Sequence, residues 1–470
     1  MTTDTCRKEE ENKATTKGPG ESPILLSNSA GAVKAERNKS ILPGKHDEYI
    51  ATIENVVEAC NMQEAIKAVI RNKGAPGIDG VTVDEIKEVM RRQWPQIKQD
   101  ILEGKYRPNP VRRVDIPKPD GKGTRQLGIP TVMDRIIQQA IYQELMPVFD
   151  PTFSQYSYGF RPNRSAHQAV LQAQSYLQEG CEWVVDIDLE KFFDKVNHDM
   201  LMARIARRIK DKKILLLIRR FLQAGVMENG LVHITEEGTP QGGPLSPLLS
   251  NIMLDDFDKE LEKRELRFVR YADDCNIYVK SEKAGHRVME GTVKYLTQRL
   301  KLKDNSQKSA VDNPWNRKFL GFTFTKEKGS NRILVHESRV KRLKDKVRGF
   351  TRKMRGSKLT DSIPKRLMPI IRGWANYFGL AGGQGPFKNL DGWIRRKIRG
   401  AVWRQWKTPR TRYKRLITLG LTEKMAKQTA YSSRGPWRMA RTYGMHKALS
   451  NAVIEAMGYT PMVKIVQARS

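Results

Sequence analysis

The residue types best placed for chemistry are the adjacent carboxylates of Tyr271-Ala272-Asp273-Asp274, which sit between apolar runs at 268–271 and 276–280. Two neighbouring carboxylates repel one another unless a cation stands between them. Taken alone, the pair also fits a solvated Asp-Asp turn. A short β-branched run from Val184 ends in Asp186-Ile187-Asp188, and the two-residue period of a strand puts both acids on the face opposite Val185 and Ile187. Hard oxygen ligands in this number suit Mg²⁺, which keeps water and completes its shell with substrate phosphates, the arrangement used in two-metal phosphoryl transfer.

Such a site needs cations for a polyphosphate. Lys118 and Arg125 flank the turn signal Pro119-Asp120-Gly121-Lys122-Gly123 and could reach one phosphate group, though both also read as surface charges. Thr239-Pro240-Gln241-Gly242-Gly243-Pro244 is too stiff and polar for a helix, and its glycines permit a close approach of backbone or nucleotide.

The elements that must carry these groups are mixed. The pattern predicts a helical stretch over 53–71, a turn-rich Gly74-Ala75-Pro76-Gly77-Ile78-Asp79-Gly80, and helices near 82–103, 131–147 and 165–179. Two strands, 111–118 and 124–129, should form a hairpin, and a second hairpin should turn at Ala272-Asp273-Asp274. Beyond 335 the strand signal fades, and Val340, Leu343, Val347, Phe350 and Met354 recur on one helical face. Residues 1–48 are rich in Ser, Thr, Gly, Lys and Glu and read as mostly disordered.

The chain has 470 residues, 85 Lys+Arg against 52 Asp+Glu, a formal net charge of +33, and 39% hydrophobic residues. It should form real cores and meet a polyanion. Residues 331–420 alone carry roughly +21, against roughly +6 each for 51–330 and 421–470. Within that block Arg342, Lys346, Arg395, Arg396, Lys397, Arg399, Arg404 and Lys407 interleave with Trp393, Trp403 and Trp406. The cations suit phosphates, and the tryptophans suit base stacking or, more simply, core packing. No apolar run approaches the roughly 20 residues of a bilayer span, so no membrane role is expected. The acidic N-terminus fits no signal or transit peptide, and Cys6, Cys60, Cys181 and Cys275 are scattered, which points to a reducing, cytoplasmic setting.

In order along the chain, the Gly74–Gly80 segment, Gly128-Ile129-Pro130-Thr131 with Arg135, Tyr158-Gly159-Phe160-Arg161-Pro162, Asp188 through Phe192-Phe193-Asp194, the Pro240-Gln241-Gly242 loop, Tyr271 to Asp274, Phe319-Leu320-Gly321-Phe322 and Gly373-Trp374-Ala375-Asn376-Tyr377-Phe378 resemble a bacterial group II intron-encoded reverse transcriptase and maturase, most of all the class C lineage. The resemblance implies an α+β right-hand polymerase fold, fingers and palm, followed by an all-α basic thumb. The implied units are a 1–48 extension, N-terminal extension and fingers at 49–180, a palm at 181–330, a thumb or maturase domain at 331–420, and a basic helical nucleic-acid-binding segment at 421–470.

By the same resemblance Asp188, Asp273 and Asp274 hold two Mg²⁺ ions, with Asp186 the ambiguous acid. Family polymerases place an aromatic gate five residues after the first metal-binding Asp, which here is Phe193. Lys118, Arg125, Gln241 and Lys308 would contact the dNTP. The implied function is RNA-directed DNA synthesis on an RNA template with a DNA or RNA primer, together with assistance to splicing of group II intron RNA and integration into target DNA. The Cys-rich endonuclease found at the end of many family members is expected to be absent. A splicing cofactor without polymerase activity and a domesticated host polymerase are the rival readings, and monomer and homodimer stay equally open.

Overall fold

A computed structural model of the protein describes residues 49–117, 123–228, 231–233, 237–238, 242–327, 329–354 and 358–468. The expectations placed on 1–48, on Lys118 and the turn after it, and on Gln241 lie outside the described residues, as does the side chain of Arg125. Among the described residues the strands are β1 (Val111–Pro117), β2 (Thr124–Ile129), β3 (Trp183–Ile187), β4 (Val226–Glu228), β5 (Leu231–His233), β6 (Arg267–Tyr271), β7 (Asp274–Val279), β8 (Ala310–Asp312), β9 (Phe322–Phe324) and β10 (Ile333–Val335).

β1 and β2 form the expected antiparallel hairpin, and β4 joins β1 in parallel to give the order β2-β1-β4-β5. The second sheet, β6-β7-β3-β8, is antiparallel throughout. Strand alternation divides it between two cores. Val185, Ile187, Phe268 and Ile277 enter the large core shared with the helices Val132–Phe149 and Ser246–Lys263, while Val184, Val269 and Tyr278 pack with Ala166–Gln178 and the aromatics Phe319, Phe322 and Phe378. Two buried faces explain why β3 reads as a continuous apolar run rather than as an alternating one.

The predicted helices at 131–147 and 165–179 are Val132–Phe149, capped by Thr131, and Ala166–Gln178, opened by a Ser165/Gln168 capping box. The stretch over 53–71 divides into Ile53–Val56 and Ala59–Arg71, because Glu58 is extended and Asn61 Nδ2 satisfies the freed Val56 carbonyl at 2.9 Å. The next helix starts at Ile86 rather than 82, since the Glu85 carboxylate accepts from both Thr82 N (2.9 Å) and Thr82 Oγ1 (2.8 Å) in a local turn.

After β10 the described chain is helical. Glu337–Lys353 buries Leu343, Val347 and Phe350, as its spacing predicts, against Met368–Phe378 and Gly385–Gln405. This third core contains Trp403, only 1% exposed, so that tryptophan is a packing residue and not a stacking surface. The Phe319-Leu320-Gly321-Phe322 and Trp374–Phe378 segments meet directly: Phe322 and Phe378 stand 5.1 Å apart by ring centroids, and Tyr377 OH donates to Leu320 O at 2.9 Å. The helical part is thereby fastened to the sheet that carries the acids.

Candidate active site and nucleic-acid face

β6 and β7 pair down to Tyr271 opposite Asp274, so the turn is Ala272-Asp273 alone and Asp274 opens β7. This corrects the expected three-residue turn. Ala272 has φ 57°, the sign a two-residue hairpin needs at its first central position, where glycine is the usual occupant. Its surroundings hold it there. Gly159 stands so close that a Cβ on it would lie 2.3 Å from Ala272 N, which only glycine tolerates. Asn251 Nδ2 donates to Gly159 O at 2.9 Å, and Arg270 Nη1 donates to Asn251 Oδ1 at 3.0 Å and to Ala272 O at 2.8 Å. The rest of the Arg270 fork grips Asp258 at 2.7 and 2.6 Å.

Arg270 and Asp258 are both 0% exposed. Burial by itself would lower the Arg270 pKa, but the Asp258 carboxylate outweighs it and keeps the guanidinium charged. Sequence reasoning missed this pair. The available signal was a charged residue at an interior position of an apolar strand, Phe268-Val269-Arg270, which demands a buried partner.

The turn faces the end of β3. Asp274 is exposed at the start of β7, yet protein atoms packed about the turn partly desolvate it, and that desolvation, followed by the charges of Asp273, Asp186 and Asp188, pushes its pKa up to about 7. The four acids thus share one electrostatic neighbourhood, although Asp186 and Asp274 are 88 positions apart in sequence, because the pairing of β3 with β7 sets Ile187 opposite Cys275 and brings the two strand ends together.

Asp186 and Asp188 separate in role. Asp186 Oδ2 accepts from Arg317 Nε at 3.0 Å and Nη2 at 2.7 Å, and its Oδ1 lies 3.1 Å from the Asn276 amide nitrogen when that amide is turned to face it. Burial raises the Asp186 pKa, with Arg317 opposing. Asp188, beyond the strand end, is bound by Lys308 Nζ at 3.2 and 3.4 Å to its two oxygens. Its backbone is fixed by Asn305 N donating to Asp188 O at 2.8 Å. Arg317 Nη2 also donates to Lys308 O at 2.6 Å, tying the lysine loop to the Asp186 pair. Lys318 opposes the rise of both Asp186 and Asp274, a second nearby cation that the sequence did not single out.

Among the described residues, no three His, Cys, Asp or Glu side chains stand close enough to hold a metal ion in this arrangement. The donor set nonetheless fits a divalent cation in its chemistry: the acids are hard oxygen ligands, and both the desolvation of Asp274 and, after it, the charges of Asp273, Asp186 and Asp188 raise its pKa in a way that a dication would offset. Lys308 is the cation now seated on Asp188.

Phe192 and Phe193 lie edge to face at 5.2 Å; Phe192 is buried at 2% exposure while Phe193 is half-buried. Of the two, Phe193 has the ring that a substrate can touch. The end of the Gly/Pro loop is pinned to β2, where Gly242, at φ 134°, approaches Gly128 O so closely that a Cβ would lie 2.4 Å away.

On the helical part Arg342, Lys346, Arg404 and Lys407 are exposed, and Arg395, Arg396 and Lys397 are half-buried. Arg396 lies over the Trp437 ring at 3.4 Å, and Lys397 stands 4.3 Å from Trp437 and 5.5 Å from Trp393. Arg399 is a correction. It is 3% exposed and donates to Leu449 O at 2.8 Å and Asn451 Oδ1 at 3.2 Å, and burial, with Arg395 adding, pulls its pKa down to about 10. It clasps the C-terminal helices and is not presented to a ligand. Residue type did not separate it from Arg395, Arg396 and Lys397, although it lies next to the buried Ile398 on the same helix.

Residues 116–324 match the family described as reverse transcriptase (RNA-dependent DNA polymerase), and residues 340–419 match the group II intron maturase-specific domain. The chain thus carries a reverse-transcriptase domain followed by a group II intron maturase-specific domain. It is 41% identical to protein YkfC of Escherichia coli K12 over 211 residues, 44% of this chain and 55% of that protein. It is 37% identical to the group II intron-encoded protein LtrA of Lactococcus lactis subsp. cremoris over 240 residues, 51% of this chain and 39% of that protein. The chain therefore spans about half or less of the curated relatives it matches. A solved partial Cas6-RT-Cas1–Cas2 complex matches at TM-score 0.35 and 27% identity, over 53% of this chain and 43% of that chain. The right-hand polymerase fold with a basic helical thumb accords with the matched domains, and reverse transcriptases as a family use divalent metal ions. No helix among the described residues is long and apolar enough to cross a membrane.

Proposed function

We propose that the protein is an RNA-directed DNA polymerase that copies group II intron RNA into cDNA and also binds that RNA to assist its splicing, with DNA integration as the downstream use, in a cytoplasmic ribonucleoprotein. The observation that carries the catalytic half is the strand register, in which Ile187 opposite Cys275 and Tyr271 opposite Asp274 bring Asp188, just past β3, beside the Ala272-Asp273 turn and Asp274. In this reading Asp188, Asp273 and Asp274 would hold two Mg²⁺ ions. When bound, such ions activate the primer 3′-hydroxyl and neutralise charge on the leaving pyrophosphate.

The remaining work falls to the chain itself. Asp186 is held by Arg317 and so anchors the Lys308 loop rather than a ligand. Lys308 leaves Asp188 when a nucleotide arrives and meets its triphosphate, joined by Lys118 and Arg125, with Gln241 touching the nucleotide. Phe193 presents a ring edge to the sugar and crowds a 2′-hydroxyl. The exposed Arg342, Lys346, Arg404 and Lys407 meet template or intron phosphates.

Asp273→Ala tests the reading. It should abolish primer extension while filter-bound RNA affinity stays within about twofold, because the basic helices supply the binding energy. Near-normal extension with Mg²⁺ would refute the assignment.

A further inference from the structure

Phe160 combines strain with exposure. It adopts φ 58°, a left-handed conformation that is sterically unfavourable for a bulky L-residue and favours glycine. Its ring is nevertheless 36% exposed. A side chain in this state adds little to the folded protein: it loses backbone freedom, clashes locally, and buries only part of its apolar surface.

The flanking residues show what enforces the conformation. Tyr158 N donates to Arg270 O at 2.9 Å, and Gly159 is wedged against Ala272 with its carbonyl taken by Asn251. On the other side Arg161 is buried, its Nε donating to Asp150 Oδ1 at 2.6 Å and its Nη1 to Ser154 O at 2.6 Å and Ser157 O at 3.0 Å. With both neighbours clamped, Phe160 has no freedom to relax, and its ring is held beside the hairpin that carries the acids. The Phe160 and Tyr271 ring centroids are 6.2 Å apart. Strain preserved in this manner, at the edge of a reacting centre, is a mark of use.

We propose that Phe160 is a substrate-contacting residue whose ring packs against the sugar and base edges of the terminal base pairs of the primer–template duplex. The inference rests on the polymerase reading above. Chemistry at Asp273 and Asp274 requires the primer 3′-hydroxyl to lie against the Ala272-Asp273 turn, and the duplex must then pass beside Tyr271, where the Phe160 ring is exposed. An uncharged flat ring recognises sugar and base surface rather than phosphate, so the contact holds the duplex in place without reading its sequence.

The test uses the full chain with Phe160→Gly and Phe160→Tyr. Glycine relieves the left-handed strain, so Phe160→Gly should fold with an unchanged or higher Tm. Its primer–template should nevertheless dissociate about tenfold faster, with EDTA present and no chemistry occurring, and its cDNA products should shorten. KM for dNTP should stay unchanged, and Phe160→Tyr should restore wild-type dissociation. A primer carrying 5-iodouracil in its last two positions should photo-crosslink to wild-type protein and lose that crosslink in Phe160→Gly. Unchanged dissociation and crosslinking in Phe160→Gly would overturn the proposal, as would an effect confined to KM for dNTP, which would put the ring in the nucleotide pocket. Asp273→Ala run in parallel separates the two levels: if it still extends primers the polymerase reading fails, whereas a normal Phe160→Gly beside an inactive Asp273→Ala removes this inference alone.

Discussion

Arg270 and Asp258 allow stability and catalysis to be pulled apart. Asp258→Leu leaves a guanidinium with no solvent contact and no carboxylate, and Arg270→Met leaves a buried carboxylate without its fork. Each single change should destabilise by about 3–5 kcal/mol, the usual penalty of an uncompensated buried charge. The double variant removes both charges and fills the space with apolar groups. Its stability should return to within about 1–2 kcal/mol of wild type, the residue of loss coming from Ala272 O and Asn251 Oδ1, which no longer receive Arg270 Nη1. A double-mutant cycle on thermal unfolding should therefore show a coupling of several kcal/mol. Activity should not return with stability. The 2.8 Å bond to Ala272 O is what fixes the turn bearing Asp273 and Asp274, and losing it should slow single-nucleotide extension about 10- to 100-fold even in the stable double variant. Wild-type extension by that double variant would show that the network serves folding alone, and uncoupled single effects would show that the pair is not jointly buried in solution.

Three further outcomes follow from the geometry. Because the Asp274 pKa is raised to about 7, ionising it opposes folding of metal-free protein; the penalty is absent near pH 4 and complete above about pH 7, so Asp274→Asn in EDTA should be more stable by about 1–2 kcal/mol at pH 8, discounted for solvent screening, and unchanged at pH 4, and an equal shift at both pH values would contradict the electrostatic account. Phe193→Ala should raise ribonucleotide incorporation relative to dNTP in competitive extension, since the half-buried ring is the accessible one; unchanged discrimination would move the gate elsewhere. Neutralising Arg342, Lys346, Arg404 and Lys407 together should flatten the salt dependence of RNA binding by up to about three to four units of slope, whereas Arg399→Ala should leave the slope alone and lower stability by about 1–3 kcal/mol, so equal slopes in wild type and the quadruple variant would place the RNA on another surface.

Much of this protein was legible in its sequence because the signals are local. Two-residue alternation placed Val185 and Ile187 together in one core, and three-and-four spacing placed Leu343, Val347 and Phe350 in another. Apolar runs on either side of adjacent acids marked the hairpin that β6 and β7 form, since that signal depends only on residue type and short spacing.

What tertiary structure alone decided was the partner of each charged group. Alternation put Asp186 and Asp188 on one side of the β3 run, Asp188 just past the strand end, but only the packing of a segment more than a hundred residues away gave Arg317 to the first and Lys308 to the second. Arg395 to Arg399 read as one basic cluster, yet the C-terminal helices close over Arg399 and leave Arg404 and Lys407 outside. Arg270 counted as one more cation until the fold enclosed it with Asp258, and nothing in Tyr158-Gly159-Phe160-Arg161 reveals that Gly159 is pressed against Ala272. Residue type and period fix which face a side chain occupies; whether that face meets solvent, a counter-charge or a neighbouring backbone is set by contacts between distant segments, where desolvation makes the difference between a surface charge and a structural one.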